Sequence, residues 1–449
     1  MSVRYHPHTP EDERRALEAI GAGSIGELFD DLPAELRDPE IDLPPGMDEA
    51  ALLEHMRSLA ERNRTRGPDF LGGGVRRHFI PSVTPHLALQ SEFVTAYTPY
   101  QPEVSQGILQ ATFEYQTMMC ELTGLDVSNA SMYDGASATA EAALLAVRHT
   151  RRDRVVVSRG VHPETRAVVE TYLRPLGVRI DVADLSPLTT ADLPLGDDVA
   201  GVLVQQPNFL GYLEEMRRLT DAAHAAGALM VAVVDPLSLA LLAPPGAYGA
   251  DVAVGDGQTL GNPPSFGGPT FGFMVVREEL LRQFPGRIVG QTTDVDGRRA
   301  FVLTLQAREQ HIRRSKAKSN ICTNHQLTAL MATVNVAALG PEGLREVAAG
   351  TVERAHALAE RLTAAGFAPL TGSRFFAEFV LPVAGPADEV RAALAQRGVH
   401  AGVPVPEEFG LGDAVLLAAT ERVSDADIDA LVAALDEVGA RRPAAVARG

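Results

Sequence analysis

The sequence predicts an α/β fold, in which a large domain with a mainly parallel sheet precedes a smaller α+β C-terminal domain. The chain has 449 residues, which is too long for one compact core and long enough for two domains. From about residue 107, β-rich runs such as "RVVVS", "VAGVLVQQP" and "ALMVAVVDP" alternate with helical segments. Strands that alternate with helices imply right-handed crossovers and therefore a largely parallel sheet.

Residues 1–70 are predicted to form an N-terminal helical extension. The stretch "TPEDERRALEAI" offers Thr9 as a helix cap before acidic residues, and "PPGMDEAALLEHMRSLAERN" starts a second helix after a proline–glycine break. "FLGGGVRRHFIPSVTPHLALQ" follows with three glycines and two prolines, and we expect an irregular loop there.

Residues 71–325 are predicted to form the large α/β domain. Its helices are expected in "GILQATFEYQTMMCELTGL", "ASATAEAALLAVRHTRR" and "PETRAVVETYLRPLG". Ligands of such sheets bind at the carboxyl ends of strands. The loops after Ser158, Gln206, Asp235 and Gly255 are therefore the candidates for a site.

Residues 326–449 are predicted to form a linking helix and a small α+β domain. The long helical stretch "PEGLREVAAGTVERAHALAERLTAAG" is followed by the β-rich runs "FAEFVLPV" and "DAVLLAAT". Two further helices are expected in "ADEVRAALAQRG" and "SDADIDALVAALDEVGA".

Composition and charge narrow the functional class. Hydrophobic residues make up 45% and charged residues 22% of the chain, as in ordinary soluble globular proteins. The sequence shows no signal-peptide pattern and no long uninterrupted apolar run. Cys120 and Cys322 are expected to be reduced and to serve packing. These three observations together predict a cytoplasmic protein. The formal net charge of −18 argues against a nucleic-acid partner, and the scattered histidines predict no metal site.

Polar residues lie at three strand or helix ends of the predicted large domain. Ser137 and Thr139 start the helix in "YDGASATAEAALLA", where free N–H groups and the helix dipole favour a phosphate. His162 follows the strand "RVVV", where a ring could stack on a cofactor, and Asp235 ends the strand "LMVAVVDP", where a carboxylate could hold a protonated pyridinium nitrogen. Together these residues fit a pyridoxal phosphate site. The alternatives are a capped helix, a capping histidine and a carboxylate that caps the turn at Pro236.

The amine that such a site needs is missing from its expected place. A Schiff-base lysine belongs after the strand in "ADVAVGDGQTLG", but this stretch has Gln258, and glutamine cannot form an imine with an aldehyde. The chain has only two lysines, Lys316 and Lys318, both in the downstream basic cluster "HIRRSKAKSN". Two alternatives stay open: a subunit that cannot work alone, or a free-standing pyridoxal enzyme that uses Lys316 or Lys318.

Several longer strings resemble one known family. "FLGGGVRRHFIPSV", "AYTPYQPEVSQGILQATFEYQTMMCELTGL", "NASMYDGASATAEA", "VGDGQTLG", "FGGPTFGF" and "AREQHIRRSKAKSNICTN" are similar to the P-protein of the glycine cleavage system. They are most similar to its separately encoded α subunit, glycine dehydrogenase (aminomethyl-transferring) subunit 1. The resemblance covers nearly the whole chain. It implies the type I fold of pyridoxal-phosphate-dependent transferases, with an aspartate-aminotransferase-like large domain.

For function, the resemblance implies an active site that two subunits share. The catalytic lysine belongs to the β subunit, and the assembly is an α2β2 heterotetramer. Pyridoxal 5'-phosphate on the β subunit takes glycine as an aldimine, carbon dioxide leaves, and the aminomethyl group passes to the lipoamide of the H-protein. Without the amine, Asp235, Ser137 and Thr139 are expected to serve packing and hydrogen bonding. A non-catalytic scaffold that stabilises the β subunit and docks the H-protein is the alternative.

The resemblance also indicates which residues line the partner's site. The loop "YTPYQPEVSQ" contributes Tyr97 and Tyr100, which could hydrogen-bond cofactor or substrate oxygens, and Glu103, which could orient a partner group. Short polar groups beside a basic turn can bind carboxylate or phosphate. A second, weaker candidate of this kind lies in "SNICTN": Asn320, Thr323 and Asn324.

Overall fold

The computed structural model describes residues 8–37, 39–40, 42–63, 66–95, 97–321 and 324–441. The chain divides into two compact units, Met1–Thr65 and Arg66–Gly449. The domain boundaries at residues 70 and 325 stay a prediction.

The first unit is helical. Helix α1 (Pro10–Ile20) begins at the predicted cap, since the Thr9 hydroxyl accepts a hydrogen bond from the Asp12 N–H, and Asp48 caps α2 (Glu49–Glu61) in the same way. None of the described side chains of this unit is buried. Its two helices therefore have no apolar core of their own.

The second unit contains the strands. Numbered along the chain, they are β1 (Asp69–Phe70), β2 (Val127–Ser128), β3 (Arg154–Ser158), β4 (Arg179–Ala183), β5 (Val199–Gln206), β6 (Leu229–Val234), β7 (Val252–Asp256), β8 (Gly272–Val276), β9 (Ile288–Thr293), β10 (Arg299–Thr304), β11 (Glu378–Pro382), β12 (His400–Ala401), β13 (Val403–Pro404) and β14 (Ala414–Ala418).

Seven of these strands form one large sheet in the order β2-β8-β7-β6-β5-β3-β4. The neighbours from β7 to β4 are parallel, whereas β8 pairs antiparallel with both β7 and β2. The predicted mainly parallel sheet is confirmed. The central strands read as continuous apolar runs because apolar cores cover both faces of the sheet.

The second unit also contains the remaining helices. They are α3 (Val83–Ala88), α4 (Ser91–Val94), α5 (Gln106–Thr123), α6 (Gly135–Thr150), α7 (Pro163–Leu173), α8 (Met216–Ala225), α9 (Gln310–Arg313), α10 (Gln326–Ala364), α11 (Ala387–Gln396) and α12 (Asp425–Glu437).

Helix α10 links the large sheet to the C-terminal part. Its first half contributes Ala329 and Ala332 to the core of the large sheet, and its second half contributes Leu358 to the C-terminal core. The two halves meet at Gly340, where φ is 64° and ψ is −178°, and Pro341 follows. Among the described helices, α10 alone is long and apolar enough to cross a membrane, with a mean hydropathy of 1.2. Its packing into two cores accounts for that composition.

The C-terminal part is built on a three-stranded antiparallel sheet in the order β11-β14-β13, which packs with α11 and α12. The strand β1 pairs in parallel with β12, so the segment after β1 starts beside the C-terminal part. This arrangement confirms the predicted α+β character.

One local prediction is wrong in part. The stretch "FLGGGVRRHFIPSVTPHLALQ" is not irregular throughout, because Val83–Ala88 forms α3 despite Pro85. Pro85 lies in the first turn of this helix, where a missing N–H breaks no intrahelical hydrogen bond.

Candidate functional site

A cavity of about 360 Å³ lies at the carboxyl ends of β5, β6 and β7, beside the start of α6. The loops that were predicted to face a ligand contribute His162, Asn208, Asp235 and Asp256 to its walls. Residues 73–76 and 376–378 close the cavity from the other side. The cavity therefore lies where an open α/β sheet holds its ligands.

Asp235 has its partners within the chain. Its Oδ1 accepts hydrogen bonds from the Thr259 hydroxyl at 2.7 Å and the Leu237 N–H at 3.1 Å. Its Oδ2 accepts from the guanidinium of Arg76, and Arg76 Nη1 also lies 3.6 Å from Glu378 Oε1. The Arg76 and Glu378 side chains are buried and Asp235 is largely buried, so one cation faces two carboxylates and offsets one of their two negative charges.

These carboxylates stabilise the protonated form of Arg76. Burial alone would lower the pKa of Arg76, but Asp235 and Glu378 raise it above its usual value. The guanidinium thus occupies the space beside Asp235 that the sequence suggested for a pyridinium ring. Sequence reasoning missed Arg76, because nothing in "GGGVRRHF" distinguishes it from its exposed neighbour Arg77.

Gln258 fixes the backbone of Arg76. The Arg76 N–H donates to Gln258 Oε1 at 3.1 Å, and Gln258 Nε2 donates to the Arg76 carbonyl at 2.9 Å. Nε2 also donates to the Asn262 carbonyl at 2.7 Å. The residue in the expected place of the Schiff-base lysine is therefore a buried amide that holds the Arg76 segment against the strand ends.

The start of α6 carries carboxylates instead of an open anion site. Asp134 caps the helix by accepting from the Ser137 N–H at 2.7 Å, and the Gly135 N–H donates to Asp256 Oδ2 at 3.3 Å. The Thr139 hydroxyl donates back to the Gly135 carbonyl at 2.7 Å. Burial raises the pKa of Asp256, and hydrogen bonds offset part of that effect. These are the hydrogen bonds that the capped-helix alternative for Ser137 and Thr139 predicts.

His162 is likewise a cap and a hydrogen-bond partner. Its Nδ1 accepts from the Glu164 N–H at 3.2 Å, and its Nε2 lies 3.0 Å from the Gly73 carbonyl. The ring meets Phe209 edge-on, with 4.8 Å between centroids. Nδ1 acts as an acceptor, so Nε2 carries the proton and donates to Gly73.

A second polar cluster brings together two residues that were predicted separately. The buried Arg287 guanidinium donates to the Tyr100 hydroxyl at 3.2 Å and to Asn324 Oδ1 at 3.3 Å. Asn324 Nδ2 donates in turn to the Ser131 hydroxyl at 2.6 Å. Sequence reasoning missed Arg287, because only the folded chain brings it beside Tyr100.

The other predicted lining residues lie at the surface or outside the described residues. Tyr97 is 78% exposed, and Glu103 and Asn320 are exposed as well. Thr323 lies outside the residues that the structure describes. The Gln106 side chain makes two hydrogen bonds of 2.9 Å to the backbone of Phe301. These bonds attach the end of the "YTPYQPEVSQ" loop to β10.

Neither lysine faces the cavity. Lys316 and Lys318 are both exposed, and the residues that line the cavity include no lysine. Among the described residues, no group of three or more histidine, cysteine or carboxylate side chains could hold a metal ion.

Comparisons with known proteins identify the family. The family model of the glycine cleavage system P-protein matches residues 3–435. The chain is 52% identical over 440 residues to a probable glycine dehydrogenase (decarboxylating) subunit 1 of Moorella thermoacetica, covering 96% of this chain and 99% of the relative. It is 49% identical over 443 residues to the protein of the same name in Carboxydothermus hydrogenoformans, covering 96% and 99%.

Solved structures agree with these relatives. A glycine decarboxylase (P-protein) of the glycine cleavage system in inhibitor-bound form is 55% identical, with a TM-score of 0.91 over 97% of this chain and 100% of that chain. A sphingosine-1-phosphate lyase from Burkholderia pseudomallei is only 15% identical and covers 91% and 95%, so its TM-score of 0.65 shows the fold alone. The fold is the type I fold of pyridoxal-phosphate-dependent enzymes, and the chain belongs to the glycine cleavage system P-protein family.

Proposed function

We propose that this chain is the α subunit of a cytoplasmic glycine decarboxylase and works only with a β subunit, in an α2β2 heterotetramer. The complex releases carbon dioxide from glycine and transfers the aminomethyl group to the lipoamide of the H-protein. The observation that carries this proposal is the pairing of Asp235 with Arg76 at the cavity wall, together with a buried Gln258 in the expected place of the lysine.

The cavity of this chain does not fit pyridoxal phosphate. Arg76 fills the space beside Asp235, and two carboxylates, Asp134 and Asp256, take the N–H groups where a phosphate would bind. A dianionic phosphate beside these carboxylates would be repelled. The cofactor therefore belongs to the β subunit, where it supplies an electron sink for decarboxylation.

The residues of this chain line one wall of the partner's site. Arg287 donates to the Tyr100 hydroxyl and to Asn324 Oδ1, so the Tyr100 O–H is oriented to donate to a bound carboxylate or phosphate, while Asn324 holds Arg287 in place. Tyr97, Glu103 and Asn320 are exposed and free to meet the partner. Thr323 completes this set on the strength of the family resemblance.

Borohydride reduction of the assembled complex tests which subunit provides the lysine that binds the cofactor. Reduction in the presence of pyridoxal phosphate fixes the cofactor to its lysine, and peptide mass mapping then locates it. We expect the label on a lysine of the β subunit. A label on Lys316 or Lys318 would establish the free-standing enzyme instead.

A further inference from the structure

One exposed segment has a charge opposite to that of the whole chain. Residues 308–318, "REQHIRRSKAK", hold five arginine and lysine side chains and one carboxylate, in a chain with a net charge of −18. Both lysines of the protein lie here. We call these residues the basic segment.

The exposed cations of the basic segment are not paired with carboxylates of the described part of the chain. Four of them are exposed and form no ion pair with any residue that the structure describes: Arg313, Arg314, Lys316 and Lys318. Some exposed arginines elsewhere are paired, for example Arg179 with Asp198 at 2.7 Å and Arg397 with Glu437 at 3.1 Å, whereas here four cations that are unpaired within the described chain lie within six residues. The described residues therefore place four unpaired positive charges close together on this surface.

The basic segment is attached at both ends. Arg308 donates to the carbonyls of Phe284 and Gly286, the latter at 3.0 Å, and the Ser319 hydroxyl just after the segment donates to Glu141 Oε1 at 2.7 Å. Between these points Arg314 has φ 54° and ψ −126°, a backbone conformation that is strained for a residue with a side chain. The cations are thus carried on a fixed, strained turn.

The basic segment also adjoins the proposed lining residues. The centroids of the His311 and Tyr100 rings lie 5.5 Å apart, and the Tyr100 hydroxyl accepts a hydrogen bond from Arg287. Asn320 and Asn324 follow the end of the segment by two and six positions. A partner that binds the segment would reach the site that these residues line.

We propose that the basic segment docks an acidic face of the protein that carries the aminomethyl acceptor, an inference that rests on the proposed function. Such a carrier must bind and leave in every turnover. Unpaired surface charges speed association and raise affinity without an apolar interface that would slow release. A permanent subunit interface buries apolar surface and is poor in charge, which argues against the β subunit as the occupant of this segment.

The test neutralises three exposed cations in the α2β2 complex: Arg313→Gln, Lys316→Gln and Lys318→Gln. We expect the KM for the lipoylated carrier protein to rise about tenfold, with kcat and the KM for free lipoamide unchanged. Binding of the complex to immobilised carrier should weaken by the same factor. In the unchanged complex, added salt should weaken carrier binding, and the triple variant should have lost most of that dependence.

A matched control removes three cations from another surface. Arg361, Arg391 and Arg397 are paired with carboxylates, and their replacement by Gln changes the net charge by the same amount. Carrier binding should not change in this control, and a Lys316→Arg, Lys318→Arg variant should bind as the unchanged complex does.

Three outcomes would overturn the proposal. An active triple variant with an unchanged KM for the carrier would refute the docking surface alone. A triple variant that no longer assembles with the β subunit would make the segment a subunit interface. An unchanged complex without glycine decarboxylation in the presence of the carrier would overturn the proposed function together with this inference.

Discussion

At the scale of single residues, a buried group of three charges defines the cavity of this chain. Arg76 links Asp235 at the end of β6 with Glu378 at the start of β11. It therefore joins the large sheet to the C-terminal sheet, in addition to offsetting one of the two carboxylate charges. Such a group is satisfied only as a whole, because each charge that remains after a deletion is buried without its partner.

Replacement of Arg76 by Met is expected to destabilise the chain by about 3–5 kcal/mol, because Asp235 and Glu378 would remain buried without a cation. Denaturant unfolding measures the difference. Arg77→Met is the control, since the adjacent Arg77 side chain is 49% exposed and contacts Asp69 at 3.3 Å. Equal losses in the two variants would contradict the assigned role.

Glu421 gives a pH-dependent prediction. Burial raises the pKa of Glu421, but the His78 ring at 2.8 Å and the Phe79 N–H at 2.7 Å lower it overall. A lowered pKa in the folded state stabilises the fold above the unfolded pKa of glutamate, and this contribution is lost as the pH falls through the folded pKa. Glu421→Gln should cost about 1–3 kcal/mol at neutral pH, and the difference should shrink in acid.

Urea unfolding of the unchanged protein and of Glu421→Gln between about pH 7 and about pH 3 measures this effect. This pH range includes the titration of a glutamate side chain. Glu353→Gln is a suitable comparison, because the Glu353 side chain is 72% exposed. A pH-independent loss for Glu421→Gln would rule out the carboxylate charge as its cause.

At the scale of elements, the break in α10 decides how the C-terminal part meets the large sheet. Gly340 has φ 64° and ψ −178°, a region that is open almost only to glycine. A Cβ at this position would meet no atom within 4 Å, so a substitution strains the backbone alone.

Gly340→Ala is therefore expected to destabilise the fold by about 1–3 kcal/mol, as read from the midpoint of chemical unfolding. Gly107→Ala in the first turn of α5 is the matched control. It also meets no atom within 4 Å and should be neutral or slightly stabilising. If the two variants unfold alike, the backbone conformation of Gly340 has no energetic role.

At the scale of the whole molecule, several large apolar side chains remain exposed on the second unit: Tyr97 at 78%, Val104 at 77%, Tyr133 at 61% and Phe266 at 93%. A contiguous exposed apolar patch is typical of a surface that a partner covers, and Tyr97 and Val104 lie on the same loop. The loop that carries Tyr97 and Val104 also carries Glu103. We therefore propose that this loop both contacts the partner subunit and lines the active site.

A double variant distinguishes a subunit that lines the active site from a non-catalytic scaffold subunit. Tyr97→Phe with Glu103→Ala should lower glycine decarboxylation by the assembled complex about tenfold to a hundredfold, because each change removes a hydrogen bond to a charged partner. Gel filtration should still give the α2β2 complex, and Val104→Ala provides the comparison. Full activity in an assembled double variant would favour the scaffold subunit.

The sequence by itself determined the alternation of strands and helices and the absence of a lysine after β7, because apolar periodicity and residue identity are local properties. It also indicated Asp235, Gln258 and the "YTPYQPEVSQ" loop as parts of candidate sites. The sequence did not predict the helix α3, because a glycine- and proline-rich stretch favours a loop. Only tertiary packing stabilises a short helix there.

Only the tertiary structure decided what these residues meet. Arg76 and Asp235 lie 159 positions apart in the chain, and Tyr100 and Arg287 lie 187 apart. No local pattern marks either arginine, since a charged residue on an irregular stretch reads the same whether it is solvated or buried against a carboxylate. The crossovers of the sheet bring the partners together, and burial then makes each pair obligatory.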